Sequence, residues 1–258
     1  SEGVNGCTAD DPVFEYGFYL AEGSPALDAG VDTAAALGLA GFTTRADGTL
    51  DSGTVDWGYH AMSAKDPARA DLYVVAGNSD LNSGTNWSEA VGTLTRAISL
   101  AGMGSRIHVA SGFYTNGAET FPLLLDKAGV WIRGTNAVDT VVNAASSETR
   151  VLRVIDPSFA RIEGLSLCGA SYNLSGVAGV SYEYGGGVYI NGALDLELVS
   201  LIVSNNLLQA SVNQYMTGGG LYALNSFGTM SHCLVRTNTV KLTAGSNSGY
   251  GYGAGMAL

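Results

Sequence analysis

The sequence predicts an all-β fold, a parallel β-helix in which short strands stack coil upon coil. A glycine-rich strand start recurs as GGGVY at Gly185, GGGLY at Gly218 and GAGMA at Gly253, with spacings of 33 and 35 residues. Strand-forming residues follow each glycine run directly, and no helical stripe of apolar residues lies within the repeat. A repeat of this length is typical of solenoid proteins, in which each unit buries its apolar side against its neighbours.

The first two repeats align in register over 22 positions, GGGVYINGALDLELVSLIVSNN with GGGLYALNSFGTMSHCLVRTNT. The alignment places Val188 on Leu221, Tyr189 on Tyr222, Ile202 on Val235 and Asn205 on Asn238. An earlier, more degenerate coil is predicted in LRVIDPSFARIEGLSLCGA. The glycines suit a corner at which the backbone takes positive φ or approaches the next coil closely.

The run LDLEL alternates apolar and acidic residues, as a strand with one buried face does. We expect Leu194, Leu196 and Leu198 to point inward, and Asp195 and Glu197 to point outward. Two carboxylates on one side of a strand lie about 6 to 7 Å apart, which overlaps the spacing in an inverting glycosidase. The same pair is also the ordinary polar face of a strand, so both interpretations stay open.

The chain before the repeats reads as three consecutive pieces. Residues 1–64 contain SPALDAG and DGTLDSGTVDWGYH, and residues 65–71 form a short polar segment expected to be a linker. Residues 72–105 begin with a strand and continue into a helix predicted from Trp87 to Leu100, with Asn86 or Ser88 as its N-cap. Coils are expected from residue 106 to residue 258.

The predicted helix has one apolar stripe, formed by Val91, Leu94, Ile98 and Ala101. The first coil of a solenoid exposes a hydrophobic cross-section unless another element covers it. We therefore expect this amphipathic helix to act as an N-terminal cap.

Three motifs carry a resemblance to a known group. LYVVAGNSDLNSGTNWSEAVGTLTRAISLA followed by RIHVASGFYT resembles the opening of the pectate-lyase-like right-handed parallel β-helix proteins of bacterial surfaces and secretions. The glycine runs followed by Asn205 and Asn238 are similar to the repeats of polymorphic outer-membrane proteins and related adhesins. SPALDAG with DGTLDSGTVDWGYH resembles the segment that closes such a β-helix.

The order of these motifs has its own consequence. A closing motif precedes an opening motif, which implies the end of one β-helix module followed by the beginning of another. The chain stops after the glycine corner at Gly253 without a closing motif. The resemblance therefore implies a fragment of a longer protein with tandem β-helix modules, incomplete at its C-terminus.

The charge balance excludes some partners. The chain has a formal net charge of −11, and clusters of Lys and Arg that would bind phosphate are absent from the sequence, which argues against nucleic acid and anionic membranes. No run reaches the roughly 18 apolar residues of a membrane span, and SEGVNGCTADD lacks the blocks of a signal peptide. We expect an extracellular or cell-surface protein whose signal peptide lies outside this sequence.

One metal site is predicted. ADGTLDSGTVDWG places Asp47, Asp51 and Asp56 within ten residues, with glycines that allow tight turns. Carboxylate oxygens are the hard ligands that calcium prefers, although the spacing is not that of an EF-hand. Asp followed by Gly is equally a turn signal, so calcium and a plain turn remain alternatives.

The three cysteines, Cys7, Cys168 and Cys233, predict neither a disulfide framework nor a zinc site, because they are odd in number and widely spread. We expect Cys233 to be a small core residue equivalent to Ser200, and Cys168 to face outward.

Two functions are compatible with the sequence. A structural or adhesive surface module needs only length, stiffness and variable loops. Its expected partners are neighbouring modules, further copies of itself, and a glycan or a surface protein, which Tyr215, Tyr250 and Tyr252 in predicted loops would contact. The alternative is a carbohydrate-active lyase or glycosidase of the β-helix type. Against it, the coil arginines have acidic neighbours with which they would pair: Arg150, Arg153 and Arg161 beside Glu148, Asp156 and Glu163.

Overall fold

The computed structural model describes residues 11–15, 19–45, 49–62, 71–145, 149–173, 181–210, 214–242 and 250–258. The chain divides into two units, one formed by Ser1–Ala70 with Gly102–Gly104 and the other by Asp71–Ala101 with Ser105–Leu258. The predicted linker, 65–71, lies outside the described residues except for Asp71, the first residue of the second unit.

In its described residues, the first unit contains two short antiparallel strand pairs. β1 (Phe14–Glu15) pairs with β2 (Tyr19–Leu20), and β3 (Phe42–Thr43) pairs with β4 (Ala61–Met62). Its buried apolar side chains in the described ranges are those of Tyr19, Leu20, Ala26, Ala34 and Val55. Buried polar side chains lie among them, and they include acidic residues described below. That this unit closes a preceding β-helix stays a prediction.

The second unit is a parallel β-helix of about five turns, as predicted. Sheet A contains β5 (Asp71–Val74), β6 (Arg106–Val109), β9 (Trp131–Gly134), β12 (Arg161–Glu163), β17 (Leu196–Val199) and β22 (Gly228–Ser231). Sheet B contains β7 (Gly112–Thr115), β10 (Thr140–Asn143), β13 (Ser166–Cys168), β18 (Ile202–Ser204) and β23 (Leu234–Arg236). Sheet C contains β14 (Ser171–Asn173), β19 (Leu207–Ala210) and β24 (Thr239–Leu242).

Two further sheets complete the coils. Sheet D contains β15 (Ser181–Tyr184), β20 (Gln214–Thr217) and β25 (Tyr250–Tyr252). Sheet E contains β8 (Leu123–Leu125), β11 (Leu152–Ile155), β16 (Val188–Asn191), β21 (Leu221–Leu224) and β26 (Met256–Ala257). The segments predicted as loops after Asn206 and Asn238 therefore contain strands, and Tyr215, Tyr250 and Tyr252 lie in them. The loop prediction was wrong because sheets C and D add two strands to each later coil.

The corners of the coil repeat one backbone conformation. Between sheets A and B the positive-φ residues are Gly164, Ser200 and His232, and between sheets B and C they are Gly169, Asn205 and Thr237. A single residue in the left-handed region turns the chain sharply, at a cost of about 1 to 2 kcal/mol for a residue with a Cβ. The stacking of successive coils must compensate for this cost, because non-glycine residues occupy these corners repeatedly.

The register between coils corrects the sequence alignment by one residue after the first strand. Tyr189 pairs with Tyr222 as predicted, but Ile202 pairs with Leu234 instead of Val235. Four residues, 192–195, separate β16 from β17, whereas three, 225–227, separate β21 from β22. This one-residue difference also makes Leu201, not Ser200, the equivalent of Cys233.

The corrected register stacks Asn206, not Asn205, on Asn238. The buried Asn206 side chain donates through Nδ2 to Leu167 O (3.2 Å) and Asn238 Oδ1 (3.1 Å), and its Oδ1 accepts from Ala170 N (3.0 Å). Asn238 Nδ2 donates in turn to Val203 O (2.9 Å). The two amides therefore join three successive coils from inside.

The glycine corners face this asparagine pair. A Cβ on Gly187 would lie 2.5 Å from Asn206 Nδ2, and one on Gly220 would lie 2.5 Å from Asn238 Nδ2. Gly185 and Gly218 also have positive φ, 66° and 73°. The glycine run and the asparagine some 19 positions later are thus one structural feature, since the amide occupies the space that a side chain would need.

The predicted helix is shorter than the sequence pattern indicated. A short 3₁₀ turn, Trp87–Glu89, begins at the N-cap Asn86, and the α-helix α1 covers only Leu94–Leu100 with Thr93 as its N-cap. Between them Val91 forms a parallel bridge with Val74, so it extends sheet A instead of a helix. Leu94, Ala97 and Ile98 are buried, and α1 contacts β5, β6 and β8, in agreement with the capping role.

Two charged side chains from the first coil fix the ends of α1. The buried Glu119 carboxylate accepts from Leu94 N (2.7 Å), Thr95 N (2.8 Å) and Thr95 Oγ1 (2.6 Å). At the other end Lys127 Nζ donates to Ile98 O (2.8 Å) and Ala101 O (2.6 Å). Both charges have the sign that the helix dipole favours, which lets a helix of two turns persist.

The core is a column of aliphatic side chains. Sheet A contributes Ile107, Ile132, Ile162 and Leu198, all at most 6% exposed. Leu196 is buried as predicted, but Leu194 is 48% exposed because it lies in the turn before β17.

Cys168 and Cys233 are half-buried free thiols, so neither fully matches the predicted outward or core position, and Cys7 lies outside the described residues. In the described ranges, no helix is long and apolar enough to span a membrane.

Candidate functional site

The predicted metal ligands of the first unit are engaged in a buried hydrogen-bond network. Asp51 Oδ2 accepts from Asp56 N (3.0 Å) and lies 2.7 Å from His60 Nε2. Asp56 Oδ1 accepts from Asp28 N (2.7 Å), and its Oδ2 accepts from Thr44 Oγ1. Both carboxylates are less than 8% exposed, so this network organises a unit with few buried apolar groups.

The third predicted ligand, Asp47, lies outside the described residues. Across the described ranges, no three side chains of His, Cys, Asp or Glu are arranged to hold a metal ion. One oxygen, Asp51 Oδ1, is buried without a hydrogen-bond partner. A buried carboxylate oxygen without a hydrogen-bond donor is a suitable ligand for a cation. The other three oxygens of Asp51 and Asp56 already accept hydrogen bonds. Calcium binding here therefore stays a prediction.

A more extensive polar surface lies on the outside of sheet A, which we call the charged face. Its first row contains, in register from strand to strand, Asp71, Arg106, Trp131, Arg161 and Glu197. Its second row contains Tyr73, His108, Arg133 and Glu163. These positions alternate with the buried isoleucines of sheet A, which is why they point outward.

Ion pairs connect the strands of the charged face. Arg161 Nε donates to Glu163 Oε2 (3.0 Å), and Arg161 Nη1 donates to Glu197 on the next coil. His108 Nε2 lies 2.9 Å from Asp71 Oδ1 on the preceding strand, while Arg133 Nε lies 4.0 Å from Glu163. Each carboxylate named here therefore has a cationic or imidazole partner. The prediction that Arg161 pairs with Glu163 is confirmed.

Aromatic rings lie between these charges. The Arg106 and Arg161 guanidinium carbons lie 5.0 and 5.5 Å from the Trp131 ring centroid, which is cation–π distance on both sides. Tyr73 stacks on His108 at 5.0 Å and meets Trp87 edge-on at 4.8 Å. Trp87 is 52% exposed and the Arg133 side chain 67% exposed, so the face offers a ring and a guanidinium to solvent.

The acidic pair predicted on one strand is not formed. Asp195 lies in the turn before β17 with φ of 50°, and only Glu197 belongs to the strand. Glu197 shares its partner, Arg161, with Glu163 on the neighbouring strand, so the Arg161 guanidinium lies between the two carboxylates. A general acid and base that act on one glycosidic bond need the space between them for substrate, and here a guanidinium fills it.

Two concavities among the described residues lie away from the charged face. One of about 450 Å³ is lined by residues of the last coils such as Leu196, Leu198 and Leu221, with no titratable side chain. The other, of about 370 Å³, lies between α1 and β8 beside Asp126 and Lys127, whose ammonium is bound to the helix carbonyls. Neither has the convergent polar groups of a catalytic cleft.

Sequence reasoning missed the charged face, although a signal for it was present. RIH at 106–108, WIR at 131–133 and RIE at 161–163 each place a polar or aromatic residue on either side of a buried isoleucine. Without the register, the unequal spacings of 25 and 30 residues hide that the three motifs stack.

Comparisons with known proteins identify a family and leave the function open. A family model described as a protein of unknown function (DUF1565) matches residues 75–213, more than half of the 258-residue chain. No curated protein matches the sequence. A solved structure of a rhamnogalacturonan lyase is similar with a TM-score of 0.37 and 12% identity, covering 72% of this chain and 62% of that one. The chain therefore spans less than two thirds of the length of that lyase.

Proposed function

This chain belongs to the DUF1565 family, and we propose that it is an extracellular structural and adhesive β-helix module of a longer protein. The observation that carries the proposal is the pairing on the charged face, where Glu163 and Glu197 share Arg161 and Asp71 pairs with His108. The Arg161–Glu197 and Asp71–His108 pairs join adjacent strands along the axis of the solenoid, which is what a stiff module requires.

The energetic role of these pairs is modest and collective. Their side chains are about one quarter to one half exposed, so a single pair contributes about 0 to 1 kcal/mol to stability. Arg161 makes more contacts than the other members of these pairs. It contacts carboxylates on its own strand and on the next coil, and it covers one side of Trp131. It therefore fixes the relative position of three successive strands.

An activity assay tests the non-catalytic role. Purified protein is incubated with a panel of acidic and neutral polysaccharides, and released oligosaccharides are measured by their reducing ends and by absorbance of unsaturated products. We expect no release from wild type and none from Glu163→Gln or Glu197→Gln. Release by wild type that either substitution abolishes would overturn the proposal.

A carbohydrate-active enzyme is the second candidate, favoured by one observation. The charged face gathers two glutamates, three arginines and the exposed Trp87 on one outer surface. Such a surface suits an oxygen-rich polymer, and the same assay decides between the two functions.

The location and assembly of the module are also proposals. The net charge of −11 and the resemblance of the glycine repeats to those of outer-membrane adhesins support a place at the cell surface and membership in that group. Further β-helix modules of the same protein, or further copies of it, would then be the direct neighbours. Protease treatment of intact producing cells tests this: loss of the protein from the intact cells is expected, and full protection would contradict it.

Calcium would bind at Asp51 with Asp47 and Asp56, as the orphaned Asp51 Oδ1 suggests. Isothermal titration calorimetry with millimolar calcium tests this. Heat of binding that Asp51→Asn abolishes supports the site, and the absence of heat in wild type removes it.

A further inference from the structure

Two tyrosine rings from consecutive coils stack beside the glycine corner between sheets D and E. Tyr184 is the last residue of β15, and Tyr222 lies in β21 of the next coil. Their ring centroids are 4.3 Å apart, with 13° between the ring planes. At this distance, carbon atoms of the two rings are in van der Waals contact. We call these two residues the stacked pair.

Hydrogen bonds fix the backbone beside the stacked pair. Gly185 N donates to Thr217 O on the next coil (3.0 Å), so the two corners stack directly. Arg150 Nη2 donates to Tyr184 O (2.8 Å), and Arg150 Nε donates to Gly185 O (2.8 Å). The backbone of Tyr184 therefore has a defined position relative to the coil that carries Tyr222.

Glycine leaves room for the rings at both corners. A Cβ on Gly218 would lie 2.9 Å from the Cβ of Tyr222, so glycine at this position leaves the space in which that side chain begins. Three glycines, Gly185–Gly187, follow Tyr184 directly and place no side chain beside its ring. Both members of the stacked pair are half-buried, so part of each side chain remains accessible to a small oxidant.

We propose that the stacked pair is a site of oxidative cross-linking, at which a one-electron oxidant joins Tyr184 and Tyr222 in a dityrosine bridge. Two rings that are already in contact react without a diffusional encounter, which favours their coupling over reaction with another molecule. The bridge would tie two coils together covalently and restrict the unfolded chain, as a disulfide does. The inference adds a modification to the proposed function and stands independently of the adhesive role.

The reaction is balanced with an oxidant of the peroxidase class. Each phenol loses one electron and its hydroxyl proton and becomes a phenoxyl radical, with unpaired electron density on the Cε carbons. The two radicals then form a Cε–Cε bond. The hydrogen on each bonded carbon leaves as a proton while the phenolic oxygen takes one up, which restores both aromatic rings. In total two electrons and two protons are lost, and one hydrogen peroxide accepts them and becomes two waters.

The test uses a small one-electron oxidant, a ruthenium tris-bipyridyl complex that is illuminated in the presence of persulfate, which takes up the two electrons. Dilute wild-type protein is oxidised in this way, and the monomer is isolated by size-exclusion chromatography and digested. We expect dityrosine fluorescence, a mass lower by two hydrogen atoms, and a cross-linked pair of peptides that contain Tyr184 and Tyr222. The yield of this product should fall about tenfold in urea, where the rings are no longer held together.

Conservative substitutions identify the reacting rings. Tyr184→Phe and Tyr222→Phe each keep a ring but cannot form a phenoxyl radical, so each should abolish this cross-link, with circular dichroism to verify an unchanged fold. Tyr189→Phe is the matched control. Tyr189 lies parallel to Tyr222 within 4° but 6.3 Å away, so its replacement should change the yield by less than about twofold.

Several results would overturn the proposal. They are the absence of dityrosine from the oxidised wild-type monomer, dityrosine only between molecules or only at other tyrosines, and an equal yield in urea. Loss of the cross-link in Tyr189→Phe would also contradict it, because the reacting partner of Tyr222 would then be Tyr189.

Discussion

Replacement of Asn206 by alanine probes the internal link between coils. The substitution leaves Ala170 N–H without its acceptor and removes the donor contacts to Leu167 O and Asn238 Oδ1. An unsatisfied buried donor costs about 1 to 3 kcal/mol, and each further hydrogen bond contributes about 1 kcal/mol, so the expected loss of unfolding free energy is about 3 kcal/mol. Urea unfolding followed by circular dichroism measures it.

The neighbouring asparagine is the matched control. Asn205 is exposed, and its φ of 54° suits glycine, so Asn205→Gly should change the unfolding free energy by less than about 0.5 kcal/mol. Hydrogen exchange adds a local readout, since Asn206→Ala should speed the exchange of the Ala170 amide. A larger loss for Asn205→Gly than for Asn206→Ala would refute the register and restore the alignment read from the sequence.

Three further predictions concern charge and burial. Lys127→Met should lower the unfolding free energy by about 2 kcal/mol, measured in urea, because the carbonyls at the end of α1 lose a charged donor. Burial raises the pKa of Tyr114 to about 12, above the ordinary value of 10 that applies in the unfolded chain. The unfolded chain therefore loses this proton at a lower pH than the folded chain does. Through this group alone, the free energy of unfolding should fall by about 3 kcal/mol between pH 10 and 12. Tyr114→Phe should remove this part of the pH dependence of the unfolding free energy. Burial also raises the pKa of the Cys168 thiol, so iodoacetamide at pH 8 should label Cys168 more slowly in the folded protein than in urea, and equal rates by mass spectrometry would contradict this.

The sequence predicted the parallel β-helix and its cap because both depend on local patterns. Glycine runs followed by β-branched and aromatic residues mark a strand start wherever they occur, and the stripe of Leu94 and Ile98 marks a buried helix face. The register was less accessible. One residue fewer in the turn before Gly228 shifts every later pairing, and no pattern in the two aligned repeats marks where that residue is lost.

The candidate sites depended on distant pairing and were predicted less well. Asp195 and Glu197 are close in sequence, but Asp195 lies in a turn and only Glu197 in the strand, whereas Arg161 pairs with Glu197 across 36 sequence positions. The rings of Tyr184 and Tyr222 likewise stack across successive coils, whereas the sequence drew attention to Tyr215, Tyr250 and Tyr252. Only the coil geometry brings such residues together.

The central claim is that this module has a structural and adhesive role and does not cleave polysaccharide. The most direct measurement is the chain length of a polysaccharide after prolonged incubation with the protein, determined by size-exclusion chromatography. We predict that the polymer keeps its original length with wild type and with Glu163→Gln. Shortened chains with wild type and intact chains with Glu163→Gln would contradict the claim.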